Sequence, residues 1–288
     1  MTRSSEGKRP AADALIFALF AKERIQNHPF YKLLSPANQR YLQTFVKKGF
    51  HNGKGEVDFV VFPDGKPATA FLVGLGPKQE WSRKRFIFHT RQLVSIANGE
   101  KIASIAVHLP SLAFPYSAVS HMARTTIVSL LMAEYKFSKY QKQEKKQRSL
   151  KRVELVVSDE AGVAQAFHEG KIIARYVNNC RDLANTPGSD MTPQLLANNA
   201  AELAKKTGCA IRVFDRKAME KEKMGAIVGV SKGSIEEPRF IIMEYKGGNK
   251  TDAPLVFVGK GVTFDSGGIN LKSSQAMYEM HMDMSGGA

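Results

Sequence analysis

The sequence predicts an α/β protein in two parts: a small N-terminal α/β domain over residues 1–160 and a second, incomplete α/β domain over 161–288. Three observations predict it. Helix-like and strand-like segments alternate along the chain, the pattern of βαβ units. A short apolar run at 255–258 has the composition of a buried parallel strand and leads at once into glycine, lysine and aspartate. Open α/β sheets deliver their functional groups at such carboxyl ends. Finally, 288 residues are a soft prior for two domains and ample for a sizeable core.

Taken in order, the first element expected is an amphipathic helix near 11–26. Lys8-Arg9 before an alanine-rich run suggests a signal peptide instead, but Asp13 interrupts the run and no small-residue cleavage site follows. Lys22-Glu23-Arg24 continues in helical fashion. Strands follow at 57–62 and 69–74, a helix at 82–97, a strand at 102–109, a helix at 118–135 and a strand at 153–157. A long helix over 160–179 would link the domains. Thr192-Pro193 reads as an N-cap with proline in the first turn, and Gly208 as that helix's stop. Strands at 210–214, 240–245 and 255–258 would begin a second sheet, with loops at 224–226 and 229–233 between them.

With 43% hydrophobic and 24% charged residues the chain has the composition of an ordinary soluble protein. No apolar run approaches the roughly 18 residues of a membrane-spanning helix, so no membrane partner is expected. Two cysteines, Cys180 and Cys209, cannot form a disulfide scaffold and have no CxxC or Cys/His neighbourhood. They read as buried small side chains in a cytoplasmic protein. The net charge of +15 is lopsided: residues 1–168 hold 26 Lys and Arg against 13 Asp and Glu. The excess is densest in a basic loop at 136–152, in Lys136, Lys139, Lys142, Lys145, Lys146, Arg148, Lys151 and Arg152. Such a patch can hold phosphates without reading sequence. No aromatic residue interleaves with 142–152 to stack on bases, so a solvated loop is the simpler reading.

Several familiar motifs fail on inspection. Gly259-Lys260 is no phosphate loop, because Pro254 stands where the first glycine belongs and Gly261 replaces Ser or Thr. His168-Glu169 lacks the second histidine of a zincin helix, Ile172 being in its place. Ser266 is no nucleophile elbow, since Phe264 replaces the first glycine. What remains is Lys260, Asp265, Lys272 and Asp283 in a glycine-rich setting. Carboxylates suit hard divalent cations. Isolated aspartates more often cap turns, and an isolated loop lysine is usually solvated.

The full blocks lift these residues above that level. Val258-Gly-Lys-Gly-Val-Thr-Phe-Asp-Ser-Gly-Gly268, Lys272 and Asp283-Met284 closely resemble the cytosol (leucyl) aminopeptidase family of two-metal exopeptidases. Arg181-Asp-Leu-Ala-Asn-Thr-Pro187 with Met191-Thr-Pro193 resembles the segment that opens the family's catalytic domain. The resemblance is strong after about residue 175 and weak before about 150. It implies a zinc-exopeptidase-like catalytic domain that releases N-terminal amino acids from peptides by two-metal hydrolysis. It implies Lys260, Asp265 and Asp283 as metal ligands, Lys260 through a neutral amine that burial and a neighbouring dication would favour. Lys272 matches the family's catalytic lysine, which points its ammonium at the scissile carbonyl and then the oxyanion. Two divalent ions (Zn²⁺ or Mn²⁺), a bicarbonate held by an arginine, and a homo-hexamer with inward-facing sites are further implications.

Departures are Asn270 and Ser273, where serine and proline are usual, and Gly287, where alanine is usual. His281 lies at a position the family does not use and reads as a packing or surface residue. The family's later Asp-x-Glu-x-Arg segment, with two more metal-binding carboxylates and the bicarbonate arginine, has no counterpart here. The sequence stops five residues after Asp283, so the chain is expected to be cut off in mid-site and inactive by itself. The alternative from another class is a catalytically inactive, truncated chain acting as a basic nucleic-acid-binding module.

Overall fold

The computed structural model describes residues 1–5, 9–65, 67–114, 117–142, 150–157, 162–249 and 251–288. Its contacts divide the chain into two compact units, Met1–Val177 and Asn178–Ala288. Lys145, Lys146 and Arg148 of the basic loop, and the expected boundary at residue 160, lie outside the described residues.

The first unit is built on a six-stranded sheet. Its strands are β1 (Thr2–Ser5), β2 (Ala14–Phe20), β3 (Val57–Val61), β4 (Thr69–Gly76), β5 (Ser104–His108) and β6 (Arg152–Val157), in the spatial order β1-β6-β5-β2-β4-β3. All neighbours are parallel except the β3–β4 pair. Helices α1 (Pro36–Gly49), α2 (Arg83–Gly99) and α3 (Val119–Ala133) connect the strands, and α4 (Val163–Asn185) follows β6. Ser35 caps α1 and Ser82 caps α2, each side chain accepting from the backbone N–H three residues on.

Residues 14–20 correct the expected first helix: they form β2, a central strand buried along its whole length. Ala14, Ile16, Ala18 and Phe20 join one core cluster with Phe86, Leu93, Met122 and Ile127 of α2 and α3. Leu15, Phe17 and Leu19 join the other, with Phe30 and Leu42. A strand buried on both faces is apolar at every position, so it loses the period-two alternation that separates strand from helix. The helix lies farther on, as α1, and β1 is a strand that the sequence reading does not contain.

Short 3₁₀ turns at Ile25–Asn27 and Pro29–Leu33 fold His28 over the second cluster. Its Nδ1 accepts from the Phe30 N–H at 3.2 Å, and its ring lies 4.9 Å from Phe17 and 5.9 Å from His108. Burial, with a smaller contribution from the charge of His108, lowers the His28 pKa from 6.5 to about 3. Unfolded His28 therefore takes up a proton near 6.5, while the folded residue resists until about 3. The stabilisation is complete above the unfolded value and is lost as pH falls through this window, by about 1.4 kcal/mol per pH unit. Urea unfolding at pH 7 and at pH 4.5 should show that loss, and His28→Gln should flatten it. An unchanged pH slope in the variant would remove His28 as the cause.

The second unit contains α5 (Pro193–Thr207), β7 (Ala210–Phe214), α6 (Arg216–Lys221), α7 (Gly225–Ser231), β8 (Phe240–Glu244) and α8 (Ser274–Tyr278). Thr192 caps α5, its side chain accepting from the Leu195 N–H, and Gly208 closes it in the left-handed conformation at φ 74°. β7 and β8 pair antiparallel. Three expectations are corrected here. Residues 225–231 form α7 rather than loops, because burial of Val228 and Met219 outweighs the poor helix propensity of two glycines. Residues 255–258 form no strand: their side chains are 73% to 93% exposed, and among the described residues no neighbouring strand pairs with them. An apolar run becomes a strand only where another backbone takes up its N–H and C=O groups. Cys180 and Cys209 are free but half-buried rather than buried.

Candidate active site in the C-terminal unit

Two segments of the second unit, 259–272 and 280–287, bring Lys260, Asp265, Lys272 and Asp283 together. Met284 anchors the second segment, fully buried against Leu183, Met191 and Leu196. Asp283 precedes that anchor and stays exposed, where its Oδ2 accepts from Lys260 Nζ at 2.7 Å.

The Asp265–Lys272 pair is made by a tight reversal. Gly267 and Gly268 have φ of 95° and 63°, a left-handed pair that a side chain would strain. The Gly267 N–H donates to Asp265 Oδ1 at 2.9 Å, and the Lys272 N–H donates to the Ser266 carbonyl at 2.9 Å. The chain thus doubles back, and Lys272 Nζ reaches Asp265 Oδ2 at 2.9 Å. Beyond it Ser273 caps α8, its hydroxyl accepting from the Ala276 N–H at 3.3 Å.

The two pairs share one field. The hydrogen bond from Lys272 holds the Asp265 carboxyl below the usual range, with help from the Gly267 N–H and the charges of Lys272 and Lys260. The hydrogen bond to Asp283 raises the Lys260 ammonium above its ordinary value, and the charges of Asp283 and Asp265 add to it. The four groups are arranged as two lysine–aspartate pairs.

A divalent ion would find two hard oxygen donors here, Asp265 and Asp283. Each already accepts from an ammonium, and Lys260 in that form has no lone pair to offer. Among the described residues no three His, Cys, Asp or Glu side chains converge as a metal cluster. The set present does not by itself fit a pair of dications.

Sequence reasoning missed the supports of the site. Met280 Sδ lies 2.9 Å from Lys272 Nζ. Phe264, beside Asp265, packs on Gly188, and Leu183 and Leu196 seat Met284. The readable signals were the adjacency of Phe264 to Asp265 and of Met284 to Asp283, and the place of Leu183 in the block 181–187. His281 stands apart, its Nδ1 at 3.0 Å from the Tyr278 carbonyl.

The C-terminal unit thus gathers four charged side chains from two segments. The chain belongs to the cytosol aminopeptidase family: that family's N-terminal domain matches residues 18–144 and its catalytic domain residues 178–288. A probable cytosol aminopeptidase of Bdellovibrio bacteriovorus is 38% identical over 220 residues, which are 75% of this chain and 44% of the relative. One of Ralstonia nicotianae is 33% identical over 286 residues, 96% of this chain and 56% of the relative. The chain thus spans about half the length of the curated relatives it matches. Among solved structures, the bottromycin maturation enzyme BotP in complex with Mn superposes with a TM-score of 0.72 at 25% identity, over 96% of this chain and 54% of that one. A tomato leucine aminopeptidase mutant superposes with a TM-score of 0.77 at 19% identity, over 99% of this chain and 57% of that one. The fold is that of leucine aminopeptidases. In the described residues no helix is long and apolar enough to cross a membrane.

Proposed function

We propose that the protein carrying this chain is a metal-dependent, leucyl-type aminopeptidase that removes amino acids one at a time from the free N-terminus of peptides. The observation that carries the reading is the convergence of Lys260, Asp265, Lys272 and Asp283 in a chain of the cytosol aminopeptidase family. Lys272 holds its ammonium on Asp265 Oδ2 at 2.9 Å. Released from Asp265, it would donate to the carbonyl oxygen of the scissile bond and strengthen that bond as negative charge builds there. Asp265 and Asp283 are the oxygen donors offered to divalent metal, and Lys260 a nitrogen donor once it has lost its proton. Further ligands are needed to complete a two-ion site.

Zn²⁺ or Mn²⁺ as the metals, a bicarbonate base, a homo-hexameric assembly and a cytoplasmic location belong to the same proposal. The Mn in BotP supports the choice of metal, and the two free cysteines agree with a reducing compartment. The domain division proposed is an N-terminal α/β domain to about residue 160 and a catalytic domain beyond it, linked by α4.

The test uses a polypeptide of the relatives' length that carries this sequence, with added Mn²⁺ or Zn²⁺. Mass spectrometry should show stepwise loss of N-terminal residues from an unblocked peptide and none from the same peptide N-acetylated. Internal cleavage, or equal rates on both peptides, would refute the assignment.

A further inference from the structure

We infer that Gly259 and Gly188 are positioning residues, each setting one of the two lysine–aspartate couples by a contact too close for any side chain. The inference rests on the reading of these couples as the reacting groups.

The two glycines act at different places. At Gly259 the segment before Lys260 lies directly against the segment that follows Asp283. An added Cβ there would sit 1.9 Å from the Gly286 carbonyl oxygen and 2.9 Å from the Gly287 Cα. Gly286 and Gly287 face the same crossing from the other side, with ideal Cβ positions 3.1 Å from the Lys260 N and 3.0 Å from the Lys260 carbonyl oxygen. The obstacles at Gly259 are backbone atoms, which cannot swing aside as a side-chain tip can. Glycine on both segments lets the backbones meet, and that meeting brings Lys260 Nζ to Asp283 Oδ2 at 2.7 Å.

Gly188 works on the other couple. Its added Cβ would lie 2.8 Å from Phe264 Cδ2 and 2.9 Å from Phe264 Cβ. Because the Cβ itself is blocked, rotation of the ring gives no relief, and the backbone at Phe264 has to move. Asp265 is the next residue, and it holds Lys272. The segment from Leu183 to Leu196 is thus a platform with two seats, one for Met284 beside Asp283 and one for Phe264 beside Asp265.

The contacts predict separable effects, which distinguish positioning from general support. In the 288-residue chain, acylation of individual lysines by an amine-reactive ester is followed by mass spectrometry, with circular dichroism to confirm folding. Gly259→Ala should raise the rate at Lys260 by about threefold, the scale of an exposed ion pair, and leave Lys272 unchanged. Gly188→Ala should do the reverse. Gly286→Ala presses more gently on the first crossing and serves if Gly259→Ala does not fold. Gly225→Ala, where an added Cβ meets nothing within 4 Å, should leave both lysines as they are. Unchanged rates, or both lysines rising together in either variant, would overturn the inference. The readout needs no peptide hydrolysis, so failure of the proposed activity and failure of this inference are told apart.

Discussion

Phe17→Ala should cost the N-terminal unit about 3–5 kcal/mol. Domains are commonly stable by only about 5–15 kcal/mol, so the variant should be largely unfolded at modest urea. Phe17 is fully buried at the middle of β2, the strand between β5 and β4. Its ring lies 4.9 Å from His28 and packs edge-on to Phe30 at 6.1 Å. Rigid strands surround the site, so the cavity left behind cannot collapse, and the lost contacts add to the lost transfer energy. Phe88→Ala is the control: that ring is 62% exposed on α2, and its loss should stay within about 0.5 kcal/mol. The comparison is made by urea unfolding followed by circular dichroism. A cost below about 1 kcal/mol at Phe17 would mean that this face of the sheet is not a packed core.

The same residue shows why part of the fold was hidden in the sequence. Elements with one buried face announced themselves: α2, α3 and α5 carry periodic apolar positions near where the sequence places them, and α2 and α5 also carry capping side chains. β2 has two buried faces and no polar positions to mark a period, and an alanine-rich run flanked by charges looks helical. The opposite error occurred at 255–258. Four apolar residues have strand composition, yet composition does not supply a partner, and here they lie exposed. Whether such a run pairs is decided by what else the chain brings beside it, a non-local fact that no local pattern contains.

At the site, the charged residues were legible and their arrangement was not. Lys260, Asp265, Lys272 and Asp283 stood out by their motif. Which lysine meets which aspartate depends on the reversal at Gly267-Gly268 and on the crossing at Gly259. The pairing links residues seven apart in one couple and 23 apart in the other. Leu183 lies in a block the sequence marks, but the supporting role of Leu183, Gly188 and Leu196 was not readable because these residues are chemically plain. Their role exists only once Phe264 and Met284 are seated on them.

Lys272→Met, made in a polypeptide of the relatives' length, should lower kcat for peptide hydrolysis by about 10²–10³, the usual effect of removing one oxyanion donor. KM should change much less, because the ammonium matters most where charge develops. Methionine keeps the length and removes the charge, and the side chain is only 27% exposed, so little else need move. One confounding effect has to be separated. The substitution also strips Asp265 of its cation, whose hydrogen bond is the main cause of the lowered carboxyl pKa. Lys272→Arg restores a permanent positive charge for Asp265 but replaces a compact ammonium by a planar fork. If Lys272 acts as the donor to the developing oxyanion, arginine recovers little of the lost rate. If it acts only as counter-ion to Asp265, arginine recovers most of it. Activity within about threefold of wild type in Lys272→Met, at equal folded protein and metal content, would remove this lysine from the reaction.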